Sequence, residues 1–386
     1  MKILAVGGGS GGHVTPVAAV LRELRQRDSS VEIRFWCDRK FSSQARSLIG
    51  NVDLNIPVST VISGKLRRYH NIPIWRQLLR PFSIVLPNIR DGALVIIGCI
   101  QSIAKLLIWR PDVVFTKGGY VCLPVGIAAR LLRIPLVIHD SDAHPGLTNR
   151  VLARFAQSIA TGAPLKNYSY PASITRYVGI PIANDFKPLT SIEQQNVKAE
   201  LGFNILKPLI VVTGGGLGAK RINEAVANVL QDIIQLGSLV LISGSQQYDE
   251  MRSMTPENDS RFQLHAFVSS GMASMLGAAD IVVTRAGATT ILELAALAKP
   301  TILIPNGYLT GGHQLKNAQA YAENGAVIII DEHDLDANPK VLVKTLRNLL
   351  DDSTMRTRMS EDFHSFAKPH AASDMADMII DAANQS

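Results

Sequence analysis

Short, mostly apolar runs of four to six residues alternate along this chain with longer stretches whose apolar positions recur every three or four residues. That alternation is the pattern of parallel α/β sheets, whose strands are buried on both faces and therefore read as unbroken apolar runs. In the first half the runs are Lys2 to Val6, Val31 to Trp36, Val113 to Thr116 and Leu136 to His139; in the second they are Pro208 to Thr213, Leu239 to Ser243, Ile281 to Thr284 and Thr301 to Pro305. Two doubly wound domains are predicted. Their boundary is expected after the run Tyr177 to Ile182, which Gly179 and Pro181 break and the polar stretch Asn184 to Lys198 follows. The first domain is thus placed at residues 1–180 and the second at 181–359. The remaining stretch to 386 reads as a helix with Met375, Met378, Ile379 and Ile380 on its apolar face and Pro369 as an interruption.

The most apolar stretch, Gly92 to Trp109, has the length of a membrane span, yet it contains Gln101, Ser102 and Lys105 and ends at Arg110-Pro111. A buried helix is expected there. The segment before it, Ser63 to Arg90, is the least regular, with Lys65, Arg67, Arg68, Arg76, Arg80 and Arg90 set among Trp75, Leu78, Leu79, Phe82, Ile84 and Leu86.

A length of 386 residues exceeds what one core usually serves, in keeping with two domains. The three cysteines, Cys37, Cys99 and Cys122, lack metal-ligand spacing and read as small core hydrophobes in a reducing compartment. Met1-Lys2 leads at once into a strand and a glycine loop with no cleavable apolar region, so a cytoplasmic protein is expected. Net charge is +7, but residues 1–160 hold 21 Lys/Arg against 9 Asp/Glu, whereas residues 161–386 hold 18 against 23. The first half should face something anionic: a membrane surface, a phosphorylated substrate or nucleic acid.

Two glycine loops carry the first chemistry. Gly7-Gly8-Gly9-Ser10-Gly11-Gly12-His13 follows one strand, and Thr213-Gly214-Gly215-Gly216-Leu217-Gly218-Ala219 follows another. Strand, glycine turn and helix present backbone N–H groups and a helix N-terminus to an anion. The first lacks the spacing of a dinucleotide fingerprint, although Asp38 lies where its acidic residue would stand. It ends instead in His13-Val14-Thr15, and an imidazole at a helix N-terminus is kept neutral by the dipole and can accept a proton near pH 7. The second loop lacks the P-loop spacing.

Further on, Asp280 to Glu293 reads as strand, glycine turn and helix, with Arg285 in the turn, Ala288 and Thr289 at the helix start and Glu293 among Leu292, Leu294, Ala295 and Ala296. Such a helix start suits a phosphate and the carboxylate suits ribose hydroxyls, the alternative being a salt bridge between Glu293 and Arg285. Gly311-Gly312-His313-Gln314 enters another helix with side chains able to read sugar hydroxyls, or it is a solvated loop. In the first half Lys117-Gly118-Gly119-Tyr120 and His139-Asp140-Ser141-Asp142 end strands, and Gly146-Leu147-Thr148-Asn149 starts a helix. Open sheets put their sites at such carboxyl ends. Two carboxylates, Asp140 and Asp142, are a thin ligand set, so no dedicated metal is expected.

Taken in order, Gly-Gly-x-Gly-Gly-His, the Gly-Gly-Tyr strand end, Gly-Leu-Thr-Asn, Gly-Gly-x-x-Gly-Ala and Arg-x-Gly-Ala-x-Thr-x-x-Glu, followed by Gln and Asn-Ala, resemble the MurG family, glycosyltransferase family 28, over about residues 1 to 330. The resemblance implies a GT-B fold: two Rossmann-like doubly wound domains facing across a cleft, with the final helix, about 360–386, packing back on the first. It implies transfer of N-acetylglucosamine from UDP-GlcNAc to the polyprenyl-pyrophosphate-linked acceptor lipid I, giving lipid II for the peptidoglycan cell wall, without a cofactor or a bound metal. Carried over residue by residue, Phe267-Val268 would meet the uracil, Glu293 the ribose, and Gly215, Gly216, Leu217, Gly218 and Ala219 with Arg285, Ala288 and Thr289 the diphosphate. Gln314 and His313 would read the sugar, with Asp142 beside it. Ser10, Gly11, Gly12, Thr15, Gly118, Gly119 and Tyr120 would face the acceptor, and His13 would be the base. The basic first half would then approach the anionic inner leaflet of the plasma membrane from the cytoplasm, with the stretch Trp75 to Arg80 as the interfacial patch and no role for nucleic acid.

The chain departs from the family at four places. His139-Asp140-Ser141-Asp142 stands for His-Glu-Gln-Asn, Leu217 for a polar residue, Ala183 for Arg, and His313-Gln314 for paired glutamines. A GT-B transferase with another lipid acceptor, a UDP-GlcNAc epimerase and a nucleotide-sugar-binding protein without catalysis stay open on the residues alone.

Overall fold

The structure, a computed structural model, describes residues 1–8, 11–66, 79–141, 145–215, 218–256, 258–268, 270–306 and 313–385; of residues 11–13, 81 and 313 it describes the backbone. The chain divides into two compact units, residues 1–183 with 368–386, and residues 184–367.

In the first unit seven strands make one parallel sheet in the order β3-β2-β1-β4-β5-β6-β7: β1 Lys2–Val6, β2 Glu32–Cys37, β3 Val58–Thr60, β4 Val113–Thr116, β5 Leu136–Asp140, β6 Ser158–Thr161 and β7 Thr175–Tyr177. The second repeats the arrangement with six, β10-β9-β8-β11-β12-β13: β8 Leu209–Thr213, β9 Ser238–Ile242, β10 Phe262–His265, β11 Ile281–Thr284, β12 Thr301–Leu303 and β13 Ile328–Ile329. The period of two along each central strand divides its apolar side chains between two cores. Ile3 and Ala5 pack into one core of the first unit and Leu4 and Val6 into the other. Likewise Ile210 and Val212 serve one face of the second sheet, and Leu209 and Val211 the opposite face.

The chain returns to the first unit later than residue 360. The helix Ser353–His364 buries Met359 and Phe363 in the second unit, where His364 Nδ1 also meets the Ala295 carbonyl at 3.0 Å. Only the helix Ala371–Asn384 packs on the first, with Met375 and Ile379 in its core and Arg27 paired to Asp377. The Lys368 ammonium, 4.7 Å above the Tyr177 ring, fixes the point of return.

The expected buried helix is a different object. It spans Leu86–Ile108, about 35 Å of helix, and only 22% of its most apolar window is buried. Gly98, Ser102 and Leu106 face the domain. A Cβ at Gly98 would stand 2.0 Å from the Ile62 carbonyl, so a bare glycine is needed for the close crossing. Gln101 Oε1 accepts from the Ile62 N–H and Lys105 Nζ donates to the Thr60 carbonyl, which tie the helix to the edge of the sheet. Its other face leaves Ile89, Ile96, Ile100, Leu107 and Ile108 exposed, and Phe82 precedes them in the same condition. Among the described residues this is the one helix long and apolar enough to cross a membrane. Residues 67–78, including most of the expected interfacial patch, lie outside the described residues.

Candidate functional site

Parallel pairing aligns the carboxyl ends of the strands. In the second unit Thr213 pairs with Ile242 and with Thr284, Ile242 with His265, and Thr284 with Leu303. The turns after β8, β10, β11 and β12 therefore emerge along one edge, and they carry Gly215, Gly218 and Ala219; Phe267 and Val268; Arg285, Ala288 and Thr289; and Gln314. Gly215 has φ +74° and Gly218 φ +75°, and a Cβ at Gly218 would stand 2.3 Å from the Ser243 carbonyl. The turn thus requires glycine and leads, with Ala219 as the capping residue, into the helix Lys220–Asn228. Gly216 and Leu217 lie outside the described residues.

After β11 the helix Ala288–Ala296 starts at Gly287 with no side-chain cap and no acidic residue in its first turn. Its first backbone N–H groups, with the Thr289 hydroxyl among them, are open to an anion. One turn further in, Glu293 is half-buried and makes no hydrogen bond or ion pair among the described residues. Burial, helped by the nearby Asp185 carboxylate, pushes its carboxyl up to about 7. The salt bridge to Arg285 is not made. Arg285 is buried and pairs instead with Glu332, which also takes Arg221 Nη1 at 3.2 Å, while Arg285 Nη1 donates to the Ile304 carbonyl at 3.1 Å. The guanidinium expected at the diphosphate thus braces the turn below it, joining the ends of β11 and β12 to Glu332. Phe267 is 56% exposed, whereas Val268 packs on the core. Gln314 Oε1 accepts from the Asn306 N–H at 2.9 Å, which leaves its amide N–H groups for another partner. The side chain of His313 is outside the described residues, although its backbone starts the helix His313–Ala322.

In the first unit Val6 pairs with Trp36 and Thr116, and Thr116 with Ile138, so Gly7-Gly8, Asp38, Lys117 to Tyr120 and Asp140-Ser141 share an edge. Residue 13 falls in the first turn of the helix Gly11–Arg27, with Gly11 and Gly12 before it and Thr15 half-buried two residues on. Ser10 and the side chain of His13 lie outside the described residues, as does Asp142. A Cβ at Gly8 would meet Asp38 Oδ2 at 2.6 Å. Gly118 and Gly119 have φ +90° and +86°, a double left-handed turn that a Cβ at Gly118 would crowd against the Asn149 amide. Tyr120 lies beside Asp38, and burial with that carboxylate raises its hydroxyl well above the ordinary range.

Beneath this turn runs a polar chain that sequence reasoning did not single out. Lys117, 1% exposed, donates to Ser141 Oγ; Ser141 Oγ lies 3.4 Å from His139 Nδ1; and His139 Nε2 donates to the Gly179 carbonyl at 2.7 Å. Burial, with the Lys117 charge adding to it, holds His139 well below its usual range, so the ring is neutral and Nδ1 accepts. Asp140 is also engaged, accepting from the Tyr170 hydroxyl at 2.6 Å. Asn149 Oδ1 is buried at the same place without a partner among the described residues. No group of three or more His, Cys, Asp or Glu able to hold a metal occurs among the described residues.

Residues 3–161 match the glycosyltransferase family 28 N-terminal domain, and residues 209–375 the glycosyltransferase family 28 C-terminal domain. The chain is 32% identical to the UDP-N-acetylglucosamine--N-acetylmuramyl-(pentapeptide) pyrophosphoryl-undecaprenol N-acetylglucosamine transferase of Natranaerobius thermophilus, over 98% of this chain and 99% of that one. It is also 32% identical to the protein of the same name from Clostridium perfringens, over 90% of each. MurG of Acinetobacter baumannii superposes with TM-score 0.69 at 24% identity, over 99% of this chain and 100% of that one. A UDP-GlcNAc 2-epimerase of Neisseria meningitidis bound to UDP-GlcNAc does so with TM-score 0.67 at 12% identity, over 99% and 100%. At those identities the solved structures speak for the fold, two parallel-sheet units of GT-B type, while the family rests on the full-length relatives. This chain belongs to glycosyltransferase family 28.

Proposed function

We propose that the protein is an inverting N-acetylglucosaminyltransferase that moves the sugar of UDP-GlcNAc onto the C4 hydroxyl of N-acetylmuramic acid in a polyprenyl-pyrophosphate-linked acceptor. The observation that carries the donor side is Glu293, a half-buried carboxyl with no described partner, one turn behind an uncapped helix N-terminus. Such a pair suits ribose hydroxyls at the carboxylate and a diphosphate at the helix start. Phe267-Val268 would meet the base, Gly215 to Ala219 the phosphates, and Gln314 and His313 the sugar.

In the reaction the acceptor oxygen forms a bond to the anomeric carbon as the bond from that carbon to the phosphate oxygen breaks. UDP leaves with the electron pair. The hydroxyl proton passes to His13, and the helix N-termini stabilise the charge that develops on UDP. No cofactor enters these steps. The acceptor's pyrophosphate suits the basic first half, and the exposed face of the Leu86–Ile108 helix suits the anionic inner leaflet of the membrane, on which the enzyme would sit peripherally. Identity to transferases of one name over almost the whole chain supports this reading over the epimerase, which shares the fold at 12%.

His13→Ala should lower kcat by at least a hundredfold, as removal of a general base does, with UDP affinity within about twofold of the parent. Undiminished turnover would remove His13 as base.

A further inference from the structure

The amino-terminal ends of β4, β5 and β6 lie at the opposite edge of the first sheet from Tyr120 and His13. A cleft of about 590 Å³ opens there, and Arg110, Arg130 and Arg133 line it. Asp112, the one carboxylate among the described residues that line it, accepts from the Lys2 N–H at 2.7 Å. Arg130 and Arg133 make no ion pair with any described residue, while Arg110 donates to the Leu132 carbonyl at 3.2 Å. Phe155 forms an apolar wall, and Gln157 Nε2 donates to Gln385 Oε1 at 3.1 Å, which leaves a carbonyl and an amide facing other partners.

A cation near the end of a helix interacts favourably with its dipole, and Arg130 in the last turn of Cys122–Leu131 is accounted for in that way. Arg133 is not. It follows the helix cap at φ +56°, the position and conformation at which glycine is the unstrained choice. The corresponding turn of the second unit has Ala298 at φ +53°. The fold therefore sets this backbone and leaves the side chain open, and here an arginine extends into a cleft. Two guanidinium groups without a carboxylate partner among the described residues, a third close by and an aromatic wall match phosphate groups attached to a flat or apolar body.

We propose that this cleft binds a phosphate-bearing ligand of nucleotide size, separately from the donor site. The phosphates have two conceivable sources, a soluble nucleotide or the headgroup of an anionic lipid at the end of the apolar helix Leu86–Ile108. The probes are ATP, measured by equilibrium dialysis with saturating UDP present, and phosphatidylglycerol vesicles against phosphatidylcholine vesicles in a sedimentation assay. The comparison is between the full chain and its Arg130→Gln/Arg133→Gly variant. We expect one of the two probes to be held at least tenfold more weakly by the variant, and which one identifies the source. The variant's Tm should be unchanged or higher, because glycine suits φ +56°, and its turnover of UDP-GlcNAc with a water-soluble acceptor should match the parent, so loss of the transferase reading would not carry this one with it. If the full chain holds neither probe at millimolar phosphate, or if the variant holds both equally well, the proposal is overturned.

Discussion

A carboxyl on an otherwise apolar helix is unfavourable unless something meets it, and Glu293 is met by no described residue. Its folded pKa, about 7, stands above the ordinary 4.5, so between those values the folded chain holds a proton that the unfolded chain has lost. The stability contributed by that proton is complete below pH 4.5 and is lost as pH rises to 7. Glu293→Gln cannot ionise. It should lose less stability than the parent between pH 4.5 and 7, by about 1–2 kcal/mol given the partial exposure of the site, in denaturant unfolding at several pH values. It should also bind UDP roughly tenfold more weakly, the effect of about one charge-assisted hydrogen bond. Parallel stability curves would show that Glu293 titrates normally. The sequence made Glu293 stand out, because one acidic residue in an apolar face is visible in a string of letters. It could not name Glu332 as the partner of Arg285, since that carboxylate comes from an element 47 residues away and no periodicity marks it. The chain Lys117-Ser141-His139 was hidden for the same reason: a buried lysine looks like any other until the fold sets it beside its acceptor.

At the scale of elements, the helix Leu86–Ile108 is where expectation and structure part. Its apolar residues were sufficient for burial, but Gly98, Ser102 and Leu106 serve the side that packs, and Ile89, Ile96, Ile100, Leu107 and Ile108 are left on the side that does not. Hydropathy counts both alike. An exposed row of Ile89, Ile96 and Ile100, with Arg90 on the same element and the basic first half behind it, fits an interfacial helix. Ile96→Glu/Ile100→Glu should abolish cosedimentation with anionic vesicles while leaving turnover of a water-soluble acceptor intact. Retained vesicle binding would place the membrane contact elsewhere. Most of the central strands were legible, because apolar residues dominate them, but β6, which lies between β5 and β7, was not read: it is four residues long and has a polar residue at each end. The edge strands β3, β7, β10 and β13 were not, being two to four residues long and only partly covered, with too few positions for a pattern. The C-terminal stretch was legible as helical but breaks into two helices about residues 365–370, each committed to a different unit.

Across the whole molecule the two sheets share one strand order around equivalent centres, β1 beside β4 and β8 beside β11. In both, the first strand is followed by a glycine-rich segment and a helix, a scaffold that can present backbone N–H groups to an anion in either unit. The difference in function follows from what surrounds the loops. The second unit adds Glu293 and the braced Arg285 turn, and residues 161–386, which contain it, are net acidic; the first adds residue 13 at a helix start, the Gly118-Gly119 turn and an excess of 12 positive charges over residues 1–160. A donor on one and a lipid-linked pyrophosphate on the other is the division of labour that this asymmetry supports. Release of UDP from UDP-GlcNAc by the purified protein, followed with and without a lipid I analogue, tests that division most directly. Release should depend on the acceptor and yield a product in which one N-acetylglucosamine is joined to the muramyl sugar; consumption of UDP-GlcNAc at an equal rate without acceptor, or no release with it, would rule that division out.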